Sequence, residues 1–136
     1  MPDESTTPDL DLLQRSIDAL NAGDIDAAVS LYASDIVWEG RMQSFESRRA
    51  LRGFIQDWLD AYDEFQFAAE EVPDFGSGVT FSVFIQRGRP QGTTGWVQDR
   101  HGVVSTWVDG LVRRVAFYSD IDQARAAAER LAEERG

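Results

Sequence analysis

Apolar residues first recur at helical spacing and then, past the middle of the chain, at every second position. Leu10, Leu13, Ile17 and Leu20 lie on one helical face. Thr7-Pro8 offers a capping hydroxyl followed by proline at a first helical position. Asp9 and Asp11 suit the positive end of the helix dipole, and Gly23 ends the segment. Asp24 then caps a second, short helix whose inner face is Ile25, Ala28, Val29 and Tyr32. Residues 36–39 (Ile-Val-Trp-Glu) read as a short strand. A third helix, from about 47 to 62, carries the clearest stripe: Leu51, Phe54, Ile55, Trp58, Leu59 and Tyr62.

After Tyr62 the period is two. Phe65, Phe67 and Ala69 alternate with polar neighbours, and the run Pro73-Asp74-Phe75-Gly76-Ser77-Gly78 predicts a turn. Val79, Phe81, Val83 and Ile85 continue the alternation, which places Phe81 on the inward face. Residues 88–95 read as a Gly- and Thr-rich loop. Residues 96–108 are long enough for one extended, curved strand, Asp109-Gly110 is a two-residue hairpin signal, and residues 111–119 return. A last helix from Asp120 aligns Ile121, Ala124, Ala128 and Leu131. Three helices around an early strand, a four-strand antiparallel run and a closing helix predict an α+β fold, with the helices on one sheet face. No repeat or linker divides the chain, so one domain over 1–136 is expected.

Composition narrows the partners. Net charge is -11, and all 13 basic residues are Arg against 15 Asp and 9 Glu. That balance argues against nucleic acid and anionic membranes, which need clustered cations. It fits either a GC-rich genome or a salt-adapted cytoplasm. No apolar run approaches the ~20 residues of a membrane span, and the acidic opening, residues 1–11, is unlike a signal peptide. A cytoplasmic location is the resulting expectation. The absence of cysteine excludes disulfides and thiolate chemistry. One histidine with scattered carboxylates makes no metal-ligand spacing, and no cofactor is expected.

Two segments resemble a known family. The stretch from Asn21-Ala22-Gly23-Asp24-Ile25 through Leu31-Tyr32-Ala33-Ser34-Asp35-Ile36-Val37-Trp38-Glu39 is similar to the opening of SnoaL-like proteins of the nuclear transport factor 2-like superfamily. Trp107-Val108-Asp109-Gly110-Leu111-Val112 and Phe117-Tyr118-Ser119-Asp120 are similar to its end. The resemblance implies a cone: a curved antiparallel sheet wrapped around three N-terminal helices, a short C-terminal helix, and an apolar pocket at the wide end. It does not fix a reaction, because the superfamily holds isomerases, cyclases, dehydratases, epoxide hydrolases and binding modules.

The catalytic sets of three subfamilies are missing at the matching positions. Ketosteroid isomerases keep an Asp base where this chain has Gly40, with Glu39 one residue away on the opposite face; their oxyanion-binding Tyr and Asp fall near Ser16 and Val103. The Asp-Arg-Asp set of limonene epoxide hydrolases falls near Phe84, Gln86 and Phe117. Scytalone dehydratases use two histidines, and here there is one. Polyketide cyclases place an acid near the end of the last strand, where Asp120 and Asp122 stand, although an Asp opening a helix is also a cap. The remaining acid–base candidates are His101 and Asp99. On one uninterrupted strand Asp99, His101, Val103, Ser105 and Trp107 share a face; by the resemblance that face looks into the cone, so that Asp99 orients His101. The alternative is a solvated pair at the hairpin mouth.

Trp38, Phe54, Trp58, Tyr62, Phe81, Trp107 and Phe117 fall on the expected inner faces. Most must be core, but so many rings leave room for a lined pocket. Arg87 would meet an anionic or carbonyl group at its mouth or remain solvated. The functional expectation is an apolar pocket for a small molecule, with acid–base chemistry on an apolar carbonyl or polycyclic substrate. The alternative is a non-catalytic ligand-binding or assembly module. Val97, Val104, Val108, Val112 and Phe84 suggest an apolar outer sheet face and hence a homodimer.

Overall fold

Asp9, rather than Thr7, opens the first helix: its carboxylate accepts the Leu12 amide at 2.9 Å, and α1 runs Leu10–Asn21. The computed structural model describes residues 7–40 and 43–136, so residues 1–6 of the acidic opening lie outside the described set. Gly23 ends the helical segment with a positive φ of 79°. Asp24 caps α2 (Ile25–Ala28), which passes through a 3₁₀ turn at Val29–Leu31 into β1 (Tyr32–Glu39). After β2 (Ser44–Phe45), the Ser47 hydroxyl accepts the Ala50 amide and starts α3 (Arg48–Asp60).

The rest is β3 (Tyr62–Glu71), β4 (Asp74–Gly76), β5 (Val79–Pro90), β6 (Val97–Val108), β7 (Leu111–Tyr118) and α4 (Ile121–Arg135). Asp109 and Gly110, with φ of 54° and 79°, form the tight turn expected between β6 and β7. The strands form one sheet in the order β2-β1-β7-β6-β5-β3, with β4 paired to β5. All pairs are antiparallel except β1 with β7, which is parallel, so the sheet is mixed. The chain reaches β7 through most of its length before laying it beside β1, which is why local alternation did not reveal this pairing.

Both sheet faces are covered. On one, Ile17, Leu31, Leu51 and Ile55 from the N-terminal segments pack with Phe84, Val103, Trp107, Val112 and Val115. On the other, α4 sets Ala124 and Ala128 over Val79, Phe81, Val83 and Val104. Residues 79–84 of β5 are therefore all buried. The helices are not confined to one face, and α4, at 15 residues, is the longest helix rather than a short one.

This arrangement corrects the outer-face expectation. Phe84 and Val112 belong to the inner cluster and Val104 lies under α4; Val97, 50% exposed, falls on the same strand face as Asp99 and His101, which leaves the partly buried Val108 as the one residue of the five with outward surface. Gly102 makes the close approach of α4 possible, because a Cβ there would collide with the Ala124 methyl. At the sheet edge, Asn21 acts as a substitute strand: its amide donates to the Phe67 carbonyl at 2.8 Å and accepts the Phe67 amide at 2.7 Å. Among the described residues no helix is long and apolar enough to cross a membrane.

Candidate functional site

The inner face of the sheet and the helices α1 and α3 do not close completely on each other. Between them lies a cavity of about 270 Å³, just below the range usual for ligand sites, about 300–1,000 Å³. Leu13, Ile17 and Leu20 of α1 and Phe54, Ile55 and Trp58 of α3 form one side. Trp38, Phe67, Phe84, Val103, Trp107 and Phe117 supply apolar surface from the strands.

Strand β6 brings the titratable pair to this wall. Its register with β5 is unbroken from Val79↔Thr106 to Gly88↔Val97, so Asp99, His101, Val103, Ser105 and Trp107 share the inner face. The bulge between β6 and β7 lies further along, at Thr106/Trp107, and leaves that alternation intact. His101 is 4% exposed and its Nδ1 lies 3.9 Å from the Asp99 carboxylate, whose side chain keeps 45% of its surface. That separation is an electrostatic contact, too long for a direct hydrogen bond. The His101 ring also packs on Phe117, with centroids 5.1 Å apart. The exposed-mouth alternative does not hold for His101.

The other candidates divide. Trp38, Phe54, Trp58, Trp107 and Phe117 line the cavity. Phe81 does not: it is fully buried beneath α4, with the Arg125 guanidinium 4.6 Å from its ring. The periodicity chose the wrong face of β5 because both faces are buried and the bulkier residues face α4. Tyr62 is also outside, its ring lying over Gly88, where a Cβ would sit 2.6 Å from it. Arg87 is exposed and stacks on Trp96 at 4.5 Å rather than meeting the cavity. Asp120 is the α4 cap, accepting the Gln123 amide at 3.1 Å, and is exposed outside the cavity wall.

Thr80 and Ser82 escaped the sequence reading because they are polar at strand positions that a packed core would fill with apolar groups. Thr80, Ser82 and Gln86 of β5 and Ser105 of β6 line the cavity. The Thr80 hydroxyl accepts the Trp107 indole N–H at 3.0 Å, which fixes that ring in the floor. Tyr32, at the start of β1, lines it too; its ring meets Trp38 edge-on at 5.8 Å, and burial pushes its phenol above the ordinary range. Ser16, Gly40, Phe84, Gln86, Val103 and Phe117, the positions compared with catalytic sets, all lie in the wall. The Ser16 hydroxyl is already committed to the Ala28 carbonyl. Glu39 points away and pairs with Arg114. No group of three or more potential metal ligands occurs among the described residues.

Comparison with known proteins agrees with the fold. The SnoaL-like domain family matches residues 13–115. No curated protein sequence matches the chain. Among solved structures, an NTF2-like protein of unknown function from Exiguobacterium sp. 255-15 is similar at a TM-score of 0.71 and 16% identity, over 80% of this chain and 98% of that one. A putative polyketide cyclase from Xanthomonas campestris pv. campestris gives 0.64 and 19%, over 86% and 93%. An epoxide hydrolase of M. tuberculosis described as LEH-like gives 0.67 and 15%, over 88% of each. At these identities the structural likeness concerns the fold.

Proposed function

The chain belongs to the SnoaL-like domain family, and from that premise we propose that residues 1–136 form one domain that binds a small apolar carbonyl compound and moves a proton on it. The observation that carries the reading is the buried His101 on the cavity wall with the Asp99 carboxylate 3.9 Å from its Nδ1. Imidazole titrates near neutrality, and a carboxylate beside it stabilises the imidazolium that forms when it accepts a proton. In this reading the His101 imidazole takes a proton from the carbon next to the carbonyl, and Asp99 holds the resulting positive charge. The ring wall of Trp38, Trp58, Trp107 and Phe117 supplies apolar binding surface.

The test is exchange of the C2 protons of 1-indanone in deuterium oxide, followed by NMR. The expected result is acceleration over an equal concentration of free imidazole, by roughly 10²–10⁴-fold for a positioned base, lost in His101→Ala and reduced in Asp99→Asn. No acceleration at a concentration where the ketone is bound would overturn proton transfer. A second reading, a binding module without chemistry, then stands. It draws on the six wall positions that carry no acid or base where relatives are compared: Ser16, Gly40, Phe84, Gln86, Val103 and Phe117.

Self-association belongs to the proposal in narrower form. With Val104 under α4 and Phe84 and Val112 turned inward, a second copy would pair through the outer sheet beyond α4. Sedimentation velocity at micromolar concentration is expected to give a dimer mass, and a monomer at all concentrations would remove this element.

A further inference from the structure

The charge of the chain is unevenly spread. Arg48, Arg49 and Arg52 stand close together at the start of α3 and line a second depression, on the outside of the molecule. Asp26, Ser34 and Ser47 add polar groups to its lining, and no residue of that lining belongs to the cavity described above. Elsewhere on the surface Arg89, Arg100 and Arg114 each face an acid. Here the balance is reversed, with three guanidinium groups around one carboxylate. Asp26 pairs with Nε of Arg52. Arg48 donates from Nη1 to the neutral carbonyl of Tyr32 at 3.3 Å, and Arg49 meets no acid among the described residues.

We infer that this depression binds the phosphate group of a small molecule, as free phosphate or as a compact ester. Three Arg against one Asp leave two positive charges, which match a phosphate group near its dianionic form. A guanidinium fork fits phosphate oxygens in pairs. Each of the three forks retains donors for that purpose, since Arg48 and Arg52 commit one nitrogen each. The Ser47 oxygen accepts the Ala50 amide at 3.1 Å, which leaves its O–H to donate to an oxyanion. Ser34 sets a second hydroxyl in the lining. The Asp26 carboxylate already rests on Arg52, so an oxyanion fits at that place. The acidic remainder of the surface, in a chain of net charge -11, repels an extended polyanion, and a compact anion is the class that suits the depression. The site is separate from the proposed proton-transfer site and stands or falls without it.

The experiment titrates the full chain into inorganic phosphate and, separately, into phenyl phosphate. Phosphorus NMR at low ionic strength, where surface charge is least screened, follows the binding. A saturable shift at millimolar affinity is expected. Arg49→Ala should weaken binding roughly three- to tenfold, the worth of one hydrogen bond to an anion at an exposed site. Arg130→Ala removes the same charge from the exposed side of α4, outside the depression, and should change nothing. Asp26→Asn releases Arg52 and should tighten binding severalfold, a gain that an unfolded variant cannot give. Binding of both compounds supports a phosphate ester as the source, and binding of inorganic phosphate alone supports the free ion. If neither compound gives a saturable shift, or if Arg130→Ala weakens binding as much as Arg49→Ala, the assignment is wrong. Unchanged affinity in Asp26→Asn would overturn the three-arginine site, and acetate bound as tightly as phosphate would overturn the choice of phosphate.

Discussion

At the residue scale, the Tyr32 phenol offers a direct test of how dry the cavity is. Its proton is held above the ordinary range by burial, whereas an unfolded tyrosine ionises near pH ~10. Because the raised value belongs to the folded state, the linked contribution is intact below pH ~10 and is lost as pH rises beyond it: the unfolded chain releases a proton that the folded chain keeps. Alkaline unfolding of wild type should therefore steepen above pH ~10, and Tyr32→Phe should flatten it. Absorbance at 295 nm is the check, with one of the three tyrosines ionising only as the fold is lost. Tyr32 was legible in sequence only as part of a short helix face, since its position at the junction of the 3₁₀ turn and β1 depends on the parallel contact with β7. His101 and Asp99 were legible as a pair because one unbroken strand carries both. What that strand could not reveal was the depth of His101, which depends on packing against Phe117 of β7.

At the element scale, the seat of α4 depends on an absent side chain. A methyl at Gly102 would collide with Ala124, so Gly102→Ala should destabilise the fold by about 1–3 kcal/mol, the usual cost of overpacking. Adding Ala124→Gly to that variant should recover part of the loss, despite the helix cost of glycine of about 1 kcal/mol. Denaturant midpoints of the two single variants and the double variant measure the coupling; simple additivity would mean that the contact relaxes without strain. Helices α1, α3 and α4 and the β6–β7 hairpin were readable because each carries its own period, cap or turn. The strands β2 and β4, of 2 and 3 residues, are too short to show a period. In β5 the pattern misled for a physical reason. Val79, Phe81 and Val83 meet a helix while Thr80 and Ser82 meet a cavity, so the more hydrophobic side of the strand is the one away from the candidate site.

For the whole molecule, the family shares a fold but each member's reaction rests on what it carries in the cavity wall. Here the positions compared with ketosteroid isomerases and limonene epoxide hydrolases hold Ser16, Gly40, Val103, Phe84, Gln86 and Phe117, all in the wall. Glu39 is turned outward to Arg114. No isomerisation of a 5-ene-3-ketosteroid and no hydrolysis of limonene epoxide is expected, because the wall positions that match those enzymes' catalytic sets carry no carboxylate, guanidinium or phenol. Steroid turnover that disappears in Glu39→Gln would contradict this and would require β1 to present its other face. The same outward and inward division governs how the molecule meets its neighbours in a crowded solution. Strand β3 ends the sheet, and an open edge is a template onto which another chain can add. Asn21 occupies that edge at Phe67 with both halves of its amide, leaving an incoming strand no donor or acceptor at that residue. The clasp from α1 thus serves as a guard against fibrillar association, and a chain whose first helix frays would lose the guard before it lost the sheet.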